Sequence, residues 1–282
     1  MKQKKYQDLA DLKLPDEIEL PFFVRPNSDK SDALDDFYIS FSHWVNFVGE
    51  VLLFSHIGNN LPVADISVNP VLKYGITGNK SVISPKITVK KSEAKTVTYS
   101  LAKNLFHHSI AQLVADYEIF LNDITSDILF RNPDILAIEE KQLTTKQIFD
   151  FSNVDNIIGF LVDKKVSDHA MLAYPKRVDA FQYLFHVGIH SKKSPLSLAQ
   201  VHDIIELRNV ILHSGGYASI QYLSRIQAYI ENGYKPLLKR ELDTPKVDFV
   251  WLIGFATDLL KLAGYVDEHV AVKWKTTRNE EN

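Results

Sequence analysis

The segment at residues 206–216 carries the most distinctive chemical pattern in the chain: Arg208 and Asn209 are adjacent, and His213 follows five residues after the arginine. With 7 Arg, 15 Asn and 10 His among 282 residues, chance would produce this pattern about 0.01 times. Imidazole exchanges protons near neutral pH, and a guanidinium binds anionic oxygens through a fork of N–H groups. The segment therefore has the side chains needed for proton transfer beside a bound anion.

Helical geometry groups some of these residues on one face. At about 100° per residue, a single narrow stripe is formed by His202, Glu206, Asn209 and His213. An acid and a second histidine thus stand behind Asn209 and His213 on that face. Arg208 lies more than about 90° away from the stripe, so its long side chain must curl toward the site or a second copy of the helix must complete it. The alternative without function is the solvent-facing edge of an amphipathic helix.

The elements around this segment are predicted to be helices. Ser194 and Pro195 are the expected N-cap and first helical residue of a helix that runs to His213 and stops at Gly215 and Gly216. Earlier in the chain, one apolar stripe at helical spacing is formed by Phe106, Ile110, Leu113, Tyr117, Phe120, Ile124 and Ile128. Similar spacing predicts further helices over residues 31–55, 101–131, 144–151, 153–172, 178–187, 218–231 and 245–263.

Residues 62–99 have a different character. Gly and Pro separate short alternating runs that are rich in Val, Ile and Thr, at residues 82–83, 86–90 and 95–99, and such runs predict strands that end in a hairpin. The predicted fold class is therefore mainly α: an antiparallel helical bundle at 99–275, preceded by an α+β elaboration with a small β-hairpin or sheet at 1–98 and followed by a charged tail at 276–282.

Composition excludes several functional classes. Hydrophobic residues at 45% and charged residues at 24% are typical of a globular protein, and the absence of cysteine excludes disulfides and cysteine-ligated metals. The absence of cysteine favours a cytoplasmic protein. We expect no membrane partner, because the longest apolar run, Phe249–Ala256, is shorter than the roughly 18–20 residues of a membrane span. The start of the chain lacks the apolar region of a signal peptide. At a net charge of −3, a polyanion would have to be held by a local patch.

Two patterns contain some of the residues of a metal site but lack the rest of the required ligands or the required geometry. His186 and His190 have i, i+4 spacing, but no carboxylate lies close to them in the sequence. The residues Asp134, Glu139 and Lys141 mimic the Pro-Asp…Glu-x-Lys pattern of metal-dependent restriction-type nucleases, whose carboxylates must project from neighbouring strands. Here the pattern lies between two predicted helices, where a solvated loop is the simpler interpretation. We therefore expect no metal and no cofactor.

The signature resembles that of the HEPN superfamily (higher eukaryotes and prokaryotes nucleotide-binding domains), whose ribonuclease members carry an Arg-polar-x-x-x-His motif late in a helical bundle. Residues 208–213 match this motif without a gap. The Ser-Gly-Gly that follows, and then Tyr222 and Leu223, are similar to a branch of predicted bacterial HEPN nucleases. Residues 116–121 are similar to the first helix of that branch. The resemblance covers residues 100–275 and implies an HEPN-like bundle there.

The resemblance implies a metal-independent endoribonuclease that works as a homodimer with a composite active site. His213 would act as general base or acid when the RNA 2′-hydroxyl attacks its own phosphate. Arg208 would brace the phosphate, and Asn209 would hydrogen-bond the phosphate, the sugar or His213. The predicted partner is RNA, together with an antitoxin or another partner from a defence system.

Accessory residues follow from charge pairing. Either Glu206 or Glu118 would neutralise and aim Arg208, and His202 would support the site from within the stripe. A local basic patch is needed to hold RNA, and the predicted RNA-binding residues are Lys192, Lys193 and Arg225.

Three functions remain open at this point. The first is an HEPN endoribonuclease that acts as a toxin or an anti-phage effector. The second is a non-catalytic HEPN-fold module that binds a nucleotide or a protein. The third is a metal-dependent nuclease centred on Asp134, Glu139 and Lys141.

Overall fold

Apolar residues at helical spacing dominate the chain, and the computed structural model of the protein is mainly α-helical. It describes residues 31–60, 66–68, 72–76, 79–83, 87–89, 94–138, 151, 153–245 and 249–274. The α-helices in these residues are α1 (Asp32–Asn60), α2 (Ala94–Arg131), α3 (Val154–Ala170), α4 (Tyr174–Phe185), α5 (Leu198–His213), α6 (Ile220–Glu231) and α7 (Phe249–Trp274). A 3-10 helix, Pro133–Ile138, follows α2.

Two antiparallel strand pairs are assigned between α1 and α2. Strand β1 (Ile66–Val68) pairs with β4 (Ile87–Val89), and β2 (Leu72–Ile76) pairs with β3 (Asn79–Ile83). The mainly α fold class is confirmed. The HEPN-like arrangement of the bundle, the α+β elaboration and the division of the chain at residues 98 and 275 stay predictions.

One predicted strand is wrong. Residues 95–99 belong to the first turns of α2, which begins at Ala94 and not at Leu101. Val and Thr lower the stability of a helix by only a few tenths of a kcal/mol per residue. Extending an established helix by two turns adds one hydrogen bond per residue, so the local preference for a strand is overridden.

Helix α2 supplies much of the core. Every member of the predicted stripe is at most 1% exposed: Phe106, Ile110, Leu113, Tyr117, Phe120, Ile124 and Ile128. The first half of α1 packs on this helix. The indole N–H of Trp44 donates to the carbonyl of Ser109 at 2.7 Å, and the Phe37 ring lies 5.5 Å from that of Phe120. Residues 31–46 therefore lie in the same compact unit as residues 107–274, although the sequence pattern assigned them to the N-terminal elaboration.

Helix α5 begins later than predicted. Ser197, and not Ser194, is its N-cap: the Ser197 hydroxyl accepts from the Gln200 amide, and the Gln200 side chain accepts from the Ser197 amide. This reciprocal capping box satisfies two of the amides that a helix start leaves unpaired. Ser194 and Pro195 form a turn before it. The predicted end at His213 is confirmed.

The other helices differ from prediction mostly at their ends. Helix α6 begins at Ile220 after the N-cap Ser219, and the helix predicted over 144–151 lies almost wholly outside the described residues. Helix α7 continues to Trp274, well beyond the predicted end at Ala263. In the described part of the chain, α7 alone is long and apolar enough to cross a membrane, and half of its most apolar window is buried, as in a core helix. Cytoplasmic localisation stays a prediction.

A buried carboxylate ties α5 to α6 and to the segment that follows α6. Asp203 is fully buried and accepts hydrogen bonds from the hydroxyl of Tyr222, from the hydroxyl of Tyr234 at 2.9 Å and from the amide of Leu237 at 2.8 Å. Burial raises the pKa of Asp203, although these three donors oppose the rise. The carboxylate therefore accepts from one buried donor, the Tyr222 hydroxyl, and from two part-buried donors, the Tyr234 hydroxyl and the Leu237 amide.

We predict that Asp203→Ala lowers the free energy of unfolding by about 3 kcal/mol or more, because each unpaired buried donor costs about 1–3 kcal/mol. Asp258→Ala is the control, since Asp258 forms an exposed pair with Lys261 and its loss should change stability by less than about 0.5 kcal/mol. Urea unfolding at pH 7 measures both. Equal stability of the two variants would show that the Asp203 network contributes nothing.

Candidate functional site

The predicted signature lies at the C-terminal end of α5. His213 is the last residue of this helix and its side chain is exposed. Among the residues that the structure describes, no hydrogen bond or ion pair to the His213 side chain is present. The helix ends here because Gly215 and Gly216 adopt φ values of 60° and 83°, a region that glycine enters without a steric penalty. An unengaged imidazole is thus held at a sharply terminated helix end.

Arg208 is held by Glu118 of α2. Nη2 of Arg208 donates to Oε1 of Glu118 at 2.9 Å and to Oε2 at 3.0 Å. The two side chains are 19% and 30% exposed, so the pair is partly screened from water. Of the two carboxylates predicted to aim Arg208, Glu118 is the one that contacts it. Nε of Arg208 is buried, and no described residue pairs with it.

Glu206, the alternative partner predicted for Arg208, pairs with Arg225 instead. Glu206 is 6% exposed, and its Oε2 accepts from Nη1 of Arg225 at 2.8 Å. Burial alone would raise the pKa of Glu206, but interactions with His202, Arg225 and Asn209 lower it below its usual value. Arg208 projects from a different side of α5, which is why it meets α2 instead.

The predicted stripe runs from the interior to the surface. His202 is 5% exposed, lies 3.6 Å from Glu206 through its Nε2, and packs edge-on against the Tyr229 ring at 5.6 Å. Asn209 is half-buried and interacts with Glu206. His213 ends the stripe in solvent. The stripe is therefore not a uniformly solvated edge of the helix, because its first half is core.

The predicted RNA-binding residues differ in whether their side chains are already paired with a carboxylate. Lys192 and Lys193 are exposed in the turns between α4 and α5. The side chain of Arg225 is 54% exposed but is already paired with Glu206. The two lysines remain the better candidates for a phosphate contact.

The structure gives no support to either of the two metal-site patterns seen in the sequence, as far as its described residues cover them. Helix α4 ends at Phe185, and His186 takes a left-handed conformation with φ 51°, so His186 and His190 do not share a helix face. Asp134 lies exposed in the 3-10 helix, and Glu139 and Lys141 lie outside the described residues. Within the described part of the chain, no three His, Asp or Glu side chains are grouped to hold a metal ion.

Two buried contacts near the site have no counterpart in the sequence signature. Arg177 of α4 is 5% exposed, and its Nη2 donates to the carbonyl of Glu118 at 3.1 Å and to Oδ1 of Asn122 at 2.8 Å. The His107 ring of α2 lies against Gly216: a Cβ at that glycine would come within 3.0 Å of Cε1 of His107. A lone arginine and an adjacent His pair carry no spacing signal, so only the assembled helices reveal them.

A hydrogen-bonded chain connects the start of α5 with α2. Nδ1 of His190 donates to the carbonyl of Leu196 at 2.9 Å, and the hydroxyl of Tyr174 lies 2.8 Å from Nε2 of His190. The same hydroxyl lies 3.2 Å from that of Tyr117. Burial lowers the pKa of His190, which favours the neutral ring with its proton on Nδ1. Tyr174 then donates to Nε2 and accepts from Tyr117.

Comparison of the chain with protein-family models, with curated proteins and with solved structures found no match.

We predict that Gly216→Ala lowers the free energy of unfolding by about 1 kcal/mol more than Gly233→Ala does, because only the former meets a neighbouring side chain. Gly233 has a similar φ of 86° with nothing within 4 Å of an added Cβ, so it isolates the backbone penalty. Urea unfolding compares the two. In a His107→Ala background the difference should vanish, and its persistence would contradict the assigned contact.

Proposed function

We propose that the protein is a metal-independent endoribonuclease whose active site lies at the C-terminal end of α5. His213 accepts the proton of an RNA 2′-hydroxyl, the resulting oxygen attacks the adjacent phosphorus, and the bond to the 5′-oxygen breaks. The 5′-oxygen leaves with a proton donated by the imidazolium of His213, and a 2′,3′-cyclic phosphate remains. No electron transfer and no metal is needed for this sequence.

The observation that carries the proposal is the state of the two ionisable groups. Arg208 is oriented through one nitrogen by Glu118, while His213 is exposed and unpaired among the described residues. A preoriented cation costs little reorganisation when negative charge develops on a phosphate. The His213 imidazole has no competing partner among the described residues, so both of its ring nitrogens are available to a bound substrate. This combination suits phosphoester cleavage better than a purely structural helix end.

Helical geometry supports a composite site in a homodimer. His213 is five positions after Arg208, so their side chains leave α5 about 140° apart and about 7.5 Å apart along its axis. One chain cannot easily direct both at the same phosphate, whereas a twofold copy can bring Arg208 of one chain to His213 of the other. Exposed apolar side chains flank His213 in the sequence and suit such an interface: Leu212, Tyr217 and Ile220, at 56%, 52% and 67% exposure.

A non-catalytic binding module is the second candidate, and one contact favours it. Glu118 already forms an ion pair with Arg208, and a carboxylate that stays in place would compete with a phosphate. The biological setting proposed from the sequence resemblance is growth arrest through RNA cleavage, in a toxin–antitoxin or anti-phage system.

We predict that the purified protein cuts RNA in the presence of EDTA and leaves cyclic phosphate ends. Arg208→Ala and His213→Ala should each lower the rate about 10²- to 10⁴-fold. Arg131→Ala and His43→Ala are matched controls, because Arg131 also precedes an asparagine and His43 is exposed on α1. Gel analysis of an end-labelled RNA measures all five proteins. Undiminished cleavage by both site variants would remove the mechanism, and an inert wild type that binds nucleotide tightly would favour the second candidate.

We also predict that the two inactive variants complement each other. In a mixture of Arg208→Ala and His213→Ala chains, half of the dimers are mixed, and each mixed dimer retains one intact composite site, so about a quarter of wild-type activity returns. Co-expression of differently tagged chains and tandem purification isolate the mixed dimers, and because one of the two sites in each is intact, the purified dimers should have about half of wild-type activity. No recovery in verified mixed dimers would mean that each chain builds its own site.

A further inference from the structure

We propose that Arg177 is a positioning residue of this site, acting on Arg208 through Glu118. The inference rests on the proposed ribonuclease function and goes beyond the signature at the end of α5. Arg177 lies in α4, is 5% exposed, and forms no hydrogen bond or ion pair with Arg208 or His213 among the described side chains. Its effect on a phosphate must therefore pass through the group that it holds.

The geometry defines what Arg177 holds. Its Nη2 donates to the backbone carbonyl of Glu118 at 3.1 Å and to Oδ1 of Asn122 at 2.8 Å. Glu118 and Asn122 are one turn apart on α2, so a single guanidinium nitrogen donates hydrogen bonds to both ends of that turn. The turn carries the carboxylate that orients Arg208.

Burying the charge of Arg177 costs hydration free energy, and this cost indicates that the side chain has a role beyond filling space in the core. An ionised side chain in a low-dielectric interior loses hydration worth several kcal/mol unless its hydrogen bonds and partners compensate. Burial lowers the pKa of Arg177, and the nearby charge of Glu118 raises it again. Glu118 is thus the carboxylate that compensates Arg177 as well as Arg208.

The charges of Arg177, Arg208 and Glu118 do not cancel, although only Arg208 bonds the Glu118 carboxylate. Arg177 and Arg208 contribute +2 and Glu118 contributes −1, so these three side chains sum to +1. A pair of Arg208 and Glu118 alone would sum to zero and would offer a phosphate little attraction. With Arg177 present, Glu118 can orient Arg208 while the net charge of the three side chains stays positive.

The test measures kcat and KM for RNA cleavage in Arg177→Met, with Lys176→Met as the control, since Lys176 is an exposed cation next to it on α4. Arg177→Met should lower kcat about tenfold or more, because Arg208 braces charge that develops in the transition state. Lys176→Met should stay within about twofold of wild type. Rates are taken well below the unfolding midpoint of each variant. Wild-type kcat in Arg177→Met would overturn the proposal.

A double-variant comparison separates positioning from general destabilisation. In a Glu118→Gln background, Arg177→Met should cause no further loss of kcat, because both changes act through the same carboxylate. Losses that multiply would overturn the proposal. Asn122→Ala and Arg177→Lys provide milder changes should Arg177→Met fail to fold, and each should lower kcat about threefold; unchanged rates in both would also overturn it.

An NMR measurement that does not depend on catalysis distinguishes failure of the ribonuclease proposal from failure of the positioning role of Arg177. The chain has 7 arginines, so its side-chain Nε–Hε signals can be resolved by NMR, and the signal missing from Arg208→Ala belongs to Arg208. Arg177→Lys should shift that signal while Lys176→Met leaves it in place. If wild type fails to cut RNA, the proposed function fails, yet the shift would still show that Arg177 controls Arg208. An unmoved signal would overturn the positioning role in either case.

Discussion

The ion pair between Arg208 and Glu118 is the contact on which the candidate site depends. It joins two residues 90 positions apart in the chain, so the site exists only when α2 and α5 are packed together. Both side chains are partly buried, and breaking such a pair leaves a poorly hydrated charge, unlike an exposed pair, which contributes about 0–1 kcal/mol. A single nitrogen, Nη2, makes both bonds, and Nε is buried, so the guanidinium is oriented and Nη1 is the nitrogen left to meet an anion.

Helix α5 is held along its length, and this makes its exposed end a defined position. The carbonyl of Leu196, just before the helix, accepts from His190, and Ser197 caps the first turn. In the middle of the helix, Asp203 gathers three donors from the neighbouring segment. At its end, Gly216 lies against the His107 ring. Catalytic groups that sit on rigidly supported helices keep the sub-ångström placement that proton transfer requires.

The parts of the site that could be predicted are those with a local signal. Periodicity identified the buried stripe of α2, and the glycines after His213 identified the end of α5, because both depend on nearby residues only. The start of α5 was misplaced because Ser194 and Ser197 are equally good caps, and a reciprocal bond with Gln200 decides between them. Long-range pairing is different: charge alone left Glu118 and Glu206 equivalent as partners of Arg208. Only the directions in which their helices face distinguish them, and the buried Arg177 has no sequence signature at all.

The most direct measurement uses an oligoribonucleotide that the protein cuts, with a single 2′-deoxyribose placed on the 5′ side of the cleaved phosphate. Attack by the neighbouring 2′-hydroxyl is then impossible at that bond, while the charge, the shape and the other phosphates are nearly unchanged. We expect cleavage there to disappear and cleavage at other bonds to persist. Cleavage of the deoxy-substituted bond at the original rate would contradict a mechanism in which the end of α5 activates the hydroxyl of the substrate.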